Sequence, residues 1–91
     1  MVKVFTYGSV VVQVLTRDEH SPPHVPVVSP NYSVELDISA PEIVVKPSSR
    51  KARIKNTPKF IKEAIAEVTV RREECKNIWK QYVNKGEFID D

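Results

Sequence analysis

The segment of the chain richest in chemistry is Glu19-His20-Ser21-Pro22-Pro23-His24, which places two imidazoles on either side of a proline pair. Histidine titrates near neutral pH, so two neighbouring histidines can act as the acid and the base of a cleavage reaction. Arg17 lies close by in sequence and adds a cation that suits a phosphate substrate. RNA cleavage is the reaction that this set would support, with His20, His24 and Arg17 as the candidate catalytic residues.

The same loop also has a binding interpretation and a purely structural one. Proline fixes its own backbone and pushes the preceding residue away from helix, so the loop should be stiff and extended. A stiff loop loses little entropy on docking, which favours a binding site made of Glu19, His20 and His24. Alternatively, both imidazoles hydrogen-bond to the backbone and fix the shape of the loop. A metal site is disfavoured because the prolines exclude the helical geometry that lets histidines four apart share an ion. We predict no metal and no cofactor.

A basic segment, residues 46–62, is the second candidate site, and it contains no acidic residue. Its cations are Lys46, Arg50, Lys51, Arg53, Lys55, Lys59 and Lys62. Such a run often contacts anionic partners, and contacts to phosphates would be sensitive to salt. No aromatic residue lies in the run before Phe60, so base stacking is not expected there. The alternative is a solvated connection whose charges keep a small domain soluble.

Length and composition limit what these two segments can belong to. The chain has 91 residues and a formal net charge of +2, which suits one domain. Residues 1–49 carry three Lys or Arg against five Asp or Glu, a net of −2, whereas residues 50–91 carry eleven against seven, a net of +4. No apolar run approaches the roughly 20 residues of a membrane-spanning helix, no signal peptide opens the chain, and one cysteine allows no internal disulfide. We therefore predict a single cytoplasmic domain without membrane contact.

The first half of the chain, residues 1–46, reads as five short strands. Their predicted ranges are 2–7, 10–15, 25–28, 32–38 and 42–46. Gly8-Ser9 is the turn of a hairpin between the first two strands. Pro26 has no amide hydrogen, so the third strand should be an edge strand or be broken at that point. Five strands in so few residues leave no room for helical crossovers, which favours an antiparallel meander.

The second half, after a basic linker at 47–57, reads as a helical segment over residues 58–85. Thr57-Pro58 is a typical helix start, and Asn84-Lys85-Gly86 is a typical stop. Apolar residues recur at helical spacing and predict a stripe facing the core. They are Ile61, Ile65, Val68, Cys75, Trp79 and Tyr82, with Ala64, Ile78 and Val83 beside them. Arg72 interrupts the stripe, so we expect either one long helix kinked there or two helices with a tight joint. The tail, 86–91, should be loose, although Phe88 and Ile89 could pack on the core or on a partner.

Together these elements predict an α+β fold, an antiparallel sheet of four to five short strands packed against a long C-terminal helix, with or without a kink. Cys75 and Trp79 are then core residues and not a redox or ligand site. The sheet positions the histidine loop, and the helix covers the bare face of the sheet.

The loop motif Glu-His-x-Pro-Pro-His-x-x-Val, here Glu19 to Val27, resembles that of a small prokaryotic family, domain of unknown function 4160. The order of elements is similar too: a hairpin, this loop, further strands and a C-terminal helical segment ending near Trp79 and Tyr82. The resemblance spans residues 3–83. Members commonly carry another histidine two positions after the second one, where this chain has Pro26. That departure, together with the basic residues at 50–55, gives weight to a role in binding alone.

Such proteins are often encoded beside a small antitoxin-like partner, so the resemblance implies a module of the toxin–antitoxin type. We expect a small cytoplasmic protein that binds this antitoxin-like neighbour, with RNA contact through residues 46–62 left open. Two alternatives also stay open: a ribonuclease-type toxin that uses His20, His24 and Arg17, and a mobile-element inhibitor that binds a nucleoprotein target. The candidate binding residues are Glu19, His20, His24, Lys46, Arg50, Lys51, Arg53 and Lys55. The oligomeric state is not predicted.

Overall fold

The computed structural model describes residues 2–14, 23–46, 57–83 and 88–89, which form five strands and two helices. The strands are β1 Val2–Tyr7, β2 Val10–Val14, β3 His24–Val28, β4 Ser33–Asp37 and β5 Val44–Val45. The helices are α1 Pro58–Val70 and α2 Arg72–Tyr82. All four strand pairs are antiparallel and the sheet order is β1-β2-β3-β4-β5. The predicted α+β class and the antiparallel meander are confirmed. Neither described helix is long and apolar enough to cross a membrane.

The hairpin between β1 and β2 depends on Gly8, as its sequence indicated. Tyr7 pairs with Val10, so Gly8 and Ser9 are the two turn residues. Gly8 has a φ of 56°, in the left-handed region that glycine enters without the penalty that a Cβ brings. The turn therefore fixes the register in which β1 and β2 meet.

Pro26 lies in a strand with neighbours on both sides, and the ladder adapts to its missing amide hydrogen. β3 pairs with β4 along all five residues, with Pro26 opposite Glu35. On the other side, the register between β2 and β3 covers Val28 and Val27 and ends before Pro26. Of the two predicted alternatives, an edge strand or a strand broken at Pro26, the second describes the β2 side of β3.

The core lies between one face of the sheet and the two helices. The register aligns Val12 with Val27 and Val27 with Val34, which puts their side chains on one face. The buried residues of that core are Val12, Val14, Val25, Val27, Val34, Leu36, Ile38, Ile43, Phe60, Ala64, Val68, Cys75, Trp79 and Phe88. Burial of so much apolar surface is the main stabilising contribution to the domain.

The helical segment consists of two adjacent helices rather than one long helix with a kink. Arg71, with φ −110° and ψ 26°, ends α1 and begins α2. The joint follows the β-branched run that ends at Val70, and the Thr69 hydroxyl donates a hydrogen bond of 2.6 Å to the Ile65 carbonyl, which competes with regular helix geometry. Arg72, the predicted interruption of the apolar stripe, is buried and its Nε donates to the Ile38 carbonyl at 3.2 Å.

The rows of the helices that face the core differ in part from the predicted stripe. On α1 the buried row is Phe60, Ala64 and Val68, whereas Ile61 and Ile65 are only half-buried. Phe60 is buried at the start of this row, and its ring packs on the ring of Tyr32 with a centroid separation of 5.3 Å.

On α2, Cys75 and Trp79 are fully buried, as predicted. Tyr82, which we expected on the core face, is 48% exposed. It is the last residue of α2 and follows the final buried position of that helix, Trp79.

Candidate functional site

Two of the candidate residues, His24 and Lys46, lie in the described part of the chain, and the structure brings both close to one carboxylate. The other candidates lie outside the described residues and remain sequence predictions. They are Arg17, Glu19, His20, Arg50, Lys51, Arg53 and Lys55. The described part of the histidine loop is therefore its end, which joins β3.

His24 is the first residue of β3 and is held in the sheet by its neighbours. The preceding Pro23 is fully buried, and its carbonyl accepts a hydrogen bond of 3.0 Å from the Ile38 amide, which extends the ladder between β3 and β4. His24 itself pairs with Asp37 and is only 4% exposed. The imidazole is therefore part of the packed interior, although it stands at the end of a polar, proline-rich loop.

The ring of Trp79 packs against the imidazole of His24. The two ring centroids are 5.3 Å apart and the ring planes are inclined at 56°, a tilted arrangement of the kind that aromatic pairs favour. Trp79 comes from α2 and is 1% exposed. Through this contact the end of the histidine loop at His24 is connected to the helix that covers the sheet.

Glu35 lies between His24 and Lys46. Its Oε2 atom is 3.9 Å from His24 Nε2 and 3.4 Å from Lys46 Nζ. The backbone sets up this arrangement: Glu35 is opposite Pro26 in β4, and its carbonyl accepts a 2.9 Å hydrogen bond from the Lys46 amide. Glu35 is 39% exposed, so its ion pair with Lys46 contributes a few tenths of a kcal/mol, up to about 1 kcal/mol. We call His24, Glu35, Lys46 and Trp79 the β3-end cluster.

This geometry suits positioning better than acid–base catalysis. A general acid or base must reach the proton of a substrate within hydrogen-bond distance, and an imidazole that is 4% exposed and packed on an indole offers little access. Among the described residues, no three His, Cys, Asp or Glu side chains are placed to hold a metal ion together. The β3-end cluster therefore fixes one end of the histidine loop.

Cys75 is a core residue, as the sequence predicted. The thiol is fully buried, and burial raises its pKa to about 12, with a smaller contribution from Glu74. A thiol with so high a pKa is protonated at neutral pH and is a poor nucleophile or metal ligand.

The structure also reveals a surface that sequence reasoning missed, an apolar groove of about 510 Å³ between β5 and α1. Its lining residues are Val45, Pro58, Ile61, Lys62 and Ile65. The signal was present in the sequence, since Ile61 and Ile65 were recognised as apolar at helical spacing. They were assigned to the core because periodicity alone does not show how far the sheet extends beneath the helix. We call this surface the β5–α1 groove.

The tail residue Phe88 packs on α2, one of the two outcomes that the sequence allowed. Its ring is 5% exposed and lies 5.8 Å from the guanidinium carbon of Arg72, with the ammonium groups of Lys76 and Lys80 at 5.2 and 5.4 Å from its centroid. Cations over an aromatic face are attracted to the electron density of the ring. The next residue, Ile89, is 77% exposed, although its amide donates to the Ser39 carbonyl at 2.7 Å.

No protein-family model, no curated protein and no solved structure matches this chain. The resemblance of the Glu19–Val27 motif to the domain of unknown function 4160 family thus remains a prediction. The β3-end cluster and the β5–α1 groove are the two features of the described residues that bear on function.

Proposed function

We propose that this protein is the binding component of a toxin–antitoxin-type pair and that it acts by holding a protein partner rather than by cleaving RNA. The observation that carries the proposal is the burial of His24 against Trp79. His24, one of the two histidines of the loop, then has a structural role. A binding loop benefits from such an anchor, because a fixed end lowers the entropy that docking costs.

The ribonuclease alternative requires two imidazoles that both reach the substrate. His24 is within 3.9 Å of Glu35 and in ring contact with Trp79, so moving it to solvent would break packing in the core. A partner-binding role has no such requirement. Pro26, at the position where the resembling family carries another histidine, points the same way.

The β5–α1 groove supports a protein partner. Protein-binding sites commonly contain an apolar centre with a polar rim, and the groove is apolar apart from Lys62 among its described lining residues. RNA contact through residues 46–62 is the second part of the same proposal, and it would depend on electrostatics alone.

Co-expression tests the pairing directly. The full chain, tagged, is produced together with the product of the adjacent reading frame, and both are followed through purification and in a growth assay. We expect the two proteins to copurify in a fixed ratio and the growth defect caused by one member to be relieved by the other. Absence of a complex, or a growth phenotype that the neighbour does not change, would contradict the proposed pair.

Incubation of the purified chain with a labelled single-stranded RNA tests the enzymatic rival. We expect the RNA to stay intact, and the wild type and His20→Ala to give the same result. RNA cleavage by the wild type that disappears in His20→Ala, with the circular dichroism spectrum unchanged, would replace the binding proposal with a ribonuclease. The copurification measured in parallel shows whether the histidine also contacts the partner.

A further inference from the structure

The β5–α1 groove exists because α1 carries two adjacent apolar rows and the fold buries only one of them. Phe60, Ala64 and Val68 form the buried row, while Ile61 and Ile65 stay half-buried beside it. β5 is the last strand of the sheet and has two residues, of which Val45 lines the groove. The cavity volume of about 510 Å³ is within the range of pockets that accept side chains or small ligands.

The charges of α1 are divided between its two flanks. Lys62 lines the groove on the β5 side. The carboxylates of Glu63 and Glu67 lie towards β1, at the opposite edge of the sheet. The pKa of the Tyr7 hydroxyl is raised there by burial of its side chain and, to a smaller extent, by the charge of these two carboxylates. Glu67 is also paired with Arg71 at 3.0 Å. The groove flank of α1 is therefore positive, and its acidic side chains belong to the other flank.

The segment of sequence that joins the two walls of the groove, residues 46–57, also has a net positive charge. Lys46 is paired with Glu35, but the chain between it and Pro58 carries four further cations, and no acid occurs from residue 43 to residue 62. These cations are Arg50, Lys51, Arg53 and Lys55. A partner with matching apolar side chains would gain affinity by burying them in the groove. Negative charges on its flanks would complement the positive groove, which raises specificity and the rate of association.

We propose that the β5–α1 groove binds an acidic amphipathic helix of a protein partner. Its apolar side chains enter between Val45 and Ile65 while its carboxylates approach Lys62, the helix-in-groove mode of recognition. The inference rests on the proposed function for the existence of a protein partner, and it adds the site and the chemistry of the partner.

Two fluorescein-labelled helical peptides test this chemistry by fluorescence anisotropy with the full-length chain. Both carry the same leucine stripe at spacings of three and four residues, and one has glutamates on its other faces where the second has lysines. We expect the glutamate peptide to bind at least about tenfold more tightly than the lysine peptide, a difference of about 1.4 kcal/mol. Equal binding of both peptides, or binding of neither, overturns the proposal.

Three variants locate the site. Ile65→Gln should weaken the glutamate peptide, and Lys62→Glu should reverse the preference between the two peptides. Lys59→Glu is the matched control, because it makes the same charge change on the same helix but lies on the flank with Tyr32 and Glu63. Circular dichroism and thermal melting confirm that each variant is folded. An effect of Lys59→Glu as large as that of Lys62→Glu would place the binding elsewhere and overturn the proposal.

Other occupants are distinguished in the same set of measurements. Analytical ultracentrifugation that shows a dimer lost in Ile65→Gln assigns the groove to a second copy of the chain. A labelled RNA that displaces the glutamate peptide, with displacement lost in Lys62→Glu, assigns it to nucleic acid. Either result overturns the inference.

The proposed function fails separately from this inference. If the adjacent gene product copurifies equally with wild type, Ile65→Gln and Lys62→Glu, the toxin–antitoxin pairing stands and the groove is not its site. If that product does not copurify while the peptide preference and its loss in Lys62→Glu are observed, the groove chemistry stands and the pairing falls.

Discussion

The β3-end cluster and the β5–α1 groove contrast in a way that reverses the usual expectation for polar and apolar side chains. At the β3 end, a histidine from a polar loop is 4% exposed and packs against Trp79. In the groove, two isoleucines of a helix with a well-formed core row are left half-buried. One of the two histidines is thus part of the interior, and plain aliphatic residues form the open surface.

Position in the sheet explains the difference. β3 has a strand on each side, and all of its residues except Val28 are buried. Its first residue, His24, is therefore packed in the interior. β5 is an edge strand of two residues, so α1 extends over little sheet on that side. Edge positions are where proteins add partners, because unburied apolar surface and strand edges are available there.

Trp79→Ala should have the largest effect and tests whether the β3-end cluster belongs to the core. Removing a fully buried indole leaves a cavity and typically costs about 3–5 kcal/mol of unfolding free energy. Urea denaturation followed by circular dichroism measures this cost. Tyr82→Ala is the control on the same helix, since that ring is 48% exposed and should cost about 0.5 kcal/mol or less. Similar midpoints for the two variants would show that His24 has no firm support from α2.

His24→Ala should cost less, about 1–3 kcal/mol, because the imidazole loses its ring contact with Trp79 and leaves a void at 4% exposure. His24→Phe keeps an aromatic ring against the indole and should recover much of the loss. The comparison uses the same urea titration. If His24→Ala has wild-type stability, the imidazole is not a packing element, and its availability for catalysis or binding has to be reconsidered.

The unfolding free energy should fall at alkaline pH because the thiol of Cys75 is buried. Burial raises its pKa to about 12 in the folded chain, above the value of about 8.5 in an unfolded chain. The unfolded state then releases a proton that the folded state keeps, so the contribution to stability is complete below about pH 8.5 and is lost as pH rises from there towards 12. At pH 10 the loss is about 1–2 kcal/mol relative to pH 8.

Unfolding free energies of wild type and Cys75→Ala at several pH values between 8 and 10 isolate this effect, since other groups titrate equally in both proteins. The alanine variant starts from a lower stability but should fall less steeply with pH. Parallel slopes for the two proteins would mean that the thiol ionises as readily in the folded state as in the unfolded one.

Much of the fold could be predicted from sequence, because local patterns decide it. The alternation in residues 32–38 became β4, Gly8 made the hairpin turn, and Thr57 caps α1 by accepting a 3.1 Å hydrogen bond from the Phe60 amide. The exposure of Tyr82 and the half-burial of Ile61 were not predictable in this way. Helical spacing identifies apolar rows, but the extent of the sheet decides which row is covered.

The candidate site was harder to predict for the same reason. Residue types identified His24 as chemically interesting, yet only the contact with α2, more than fifty positions away in the chain, shows that the imidazole is packed on Trp79. The predicted fifth strand covered residues 42–46, whereas β5 is Val44–Val45. The longer predicted strand implied that the sheet covers α1. The groove therefore depends on where β5 begins and ends, which sequence patterns locate poorly.

Ile65→Gln should have the smallest effect on stability, and its size decides whether the groove wall is surface or core. Ile65 is half-buried, so exchanging it for a polar residue of similar length should cost about 1 kcal/mol or less. Val68→Ala, one turn further along α1, removes two carbons from a fully buried position and should cost about 2 kcal/mol. If the order is reversed, Ile65 contributes to the core, and the loss of peptide binding in Ile65→Gln would reflect a weakened fold. If the order holds, the same loss of binding belongs to the groove itself, because the fold beneath it is unchanged.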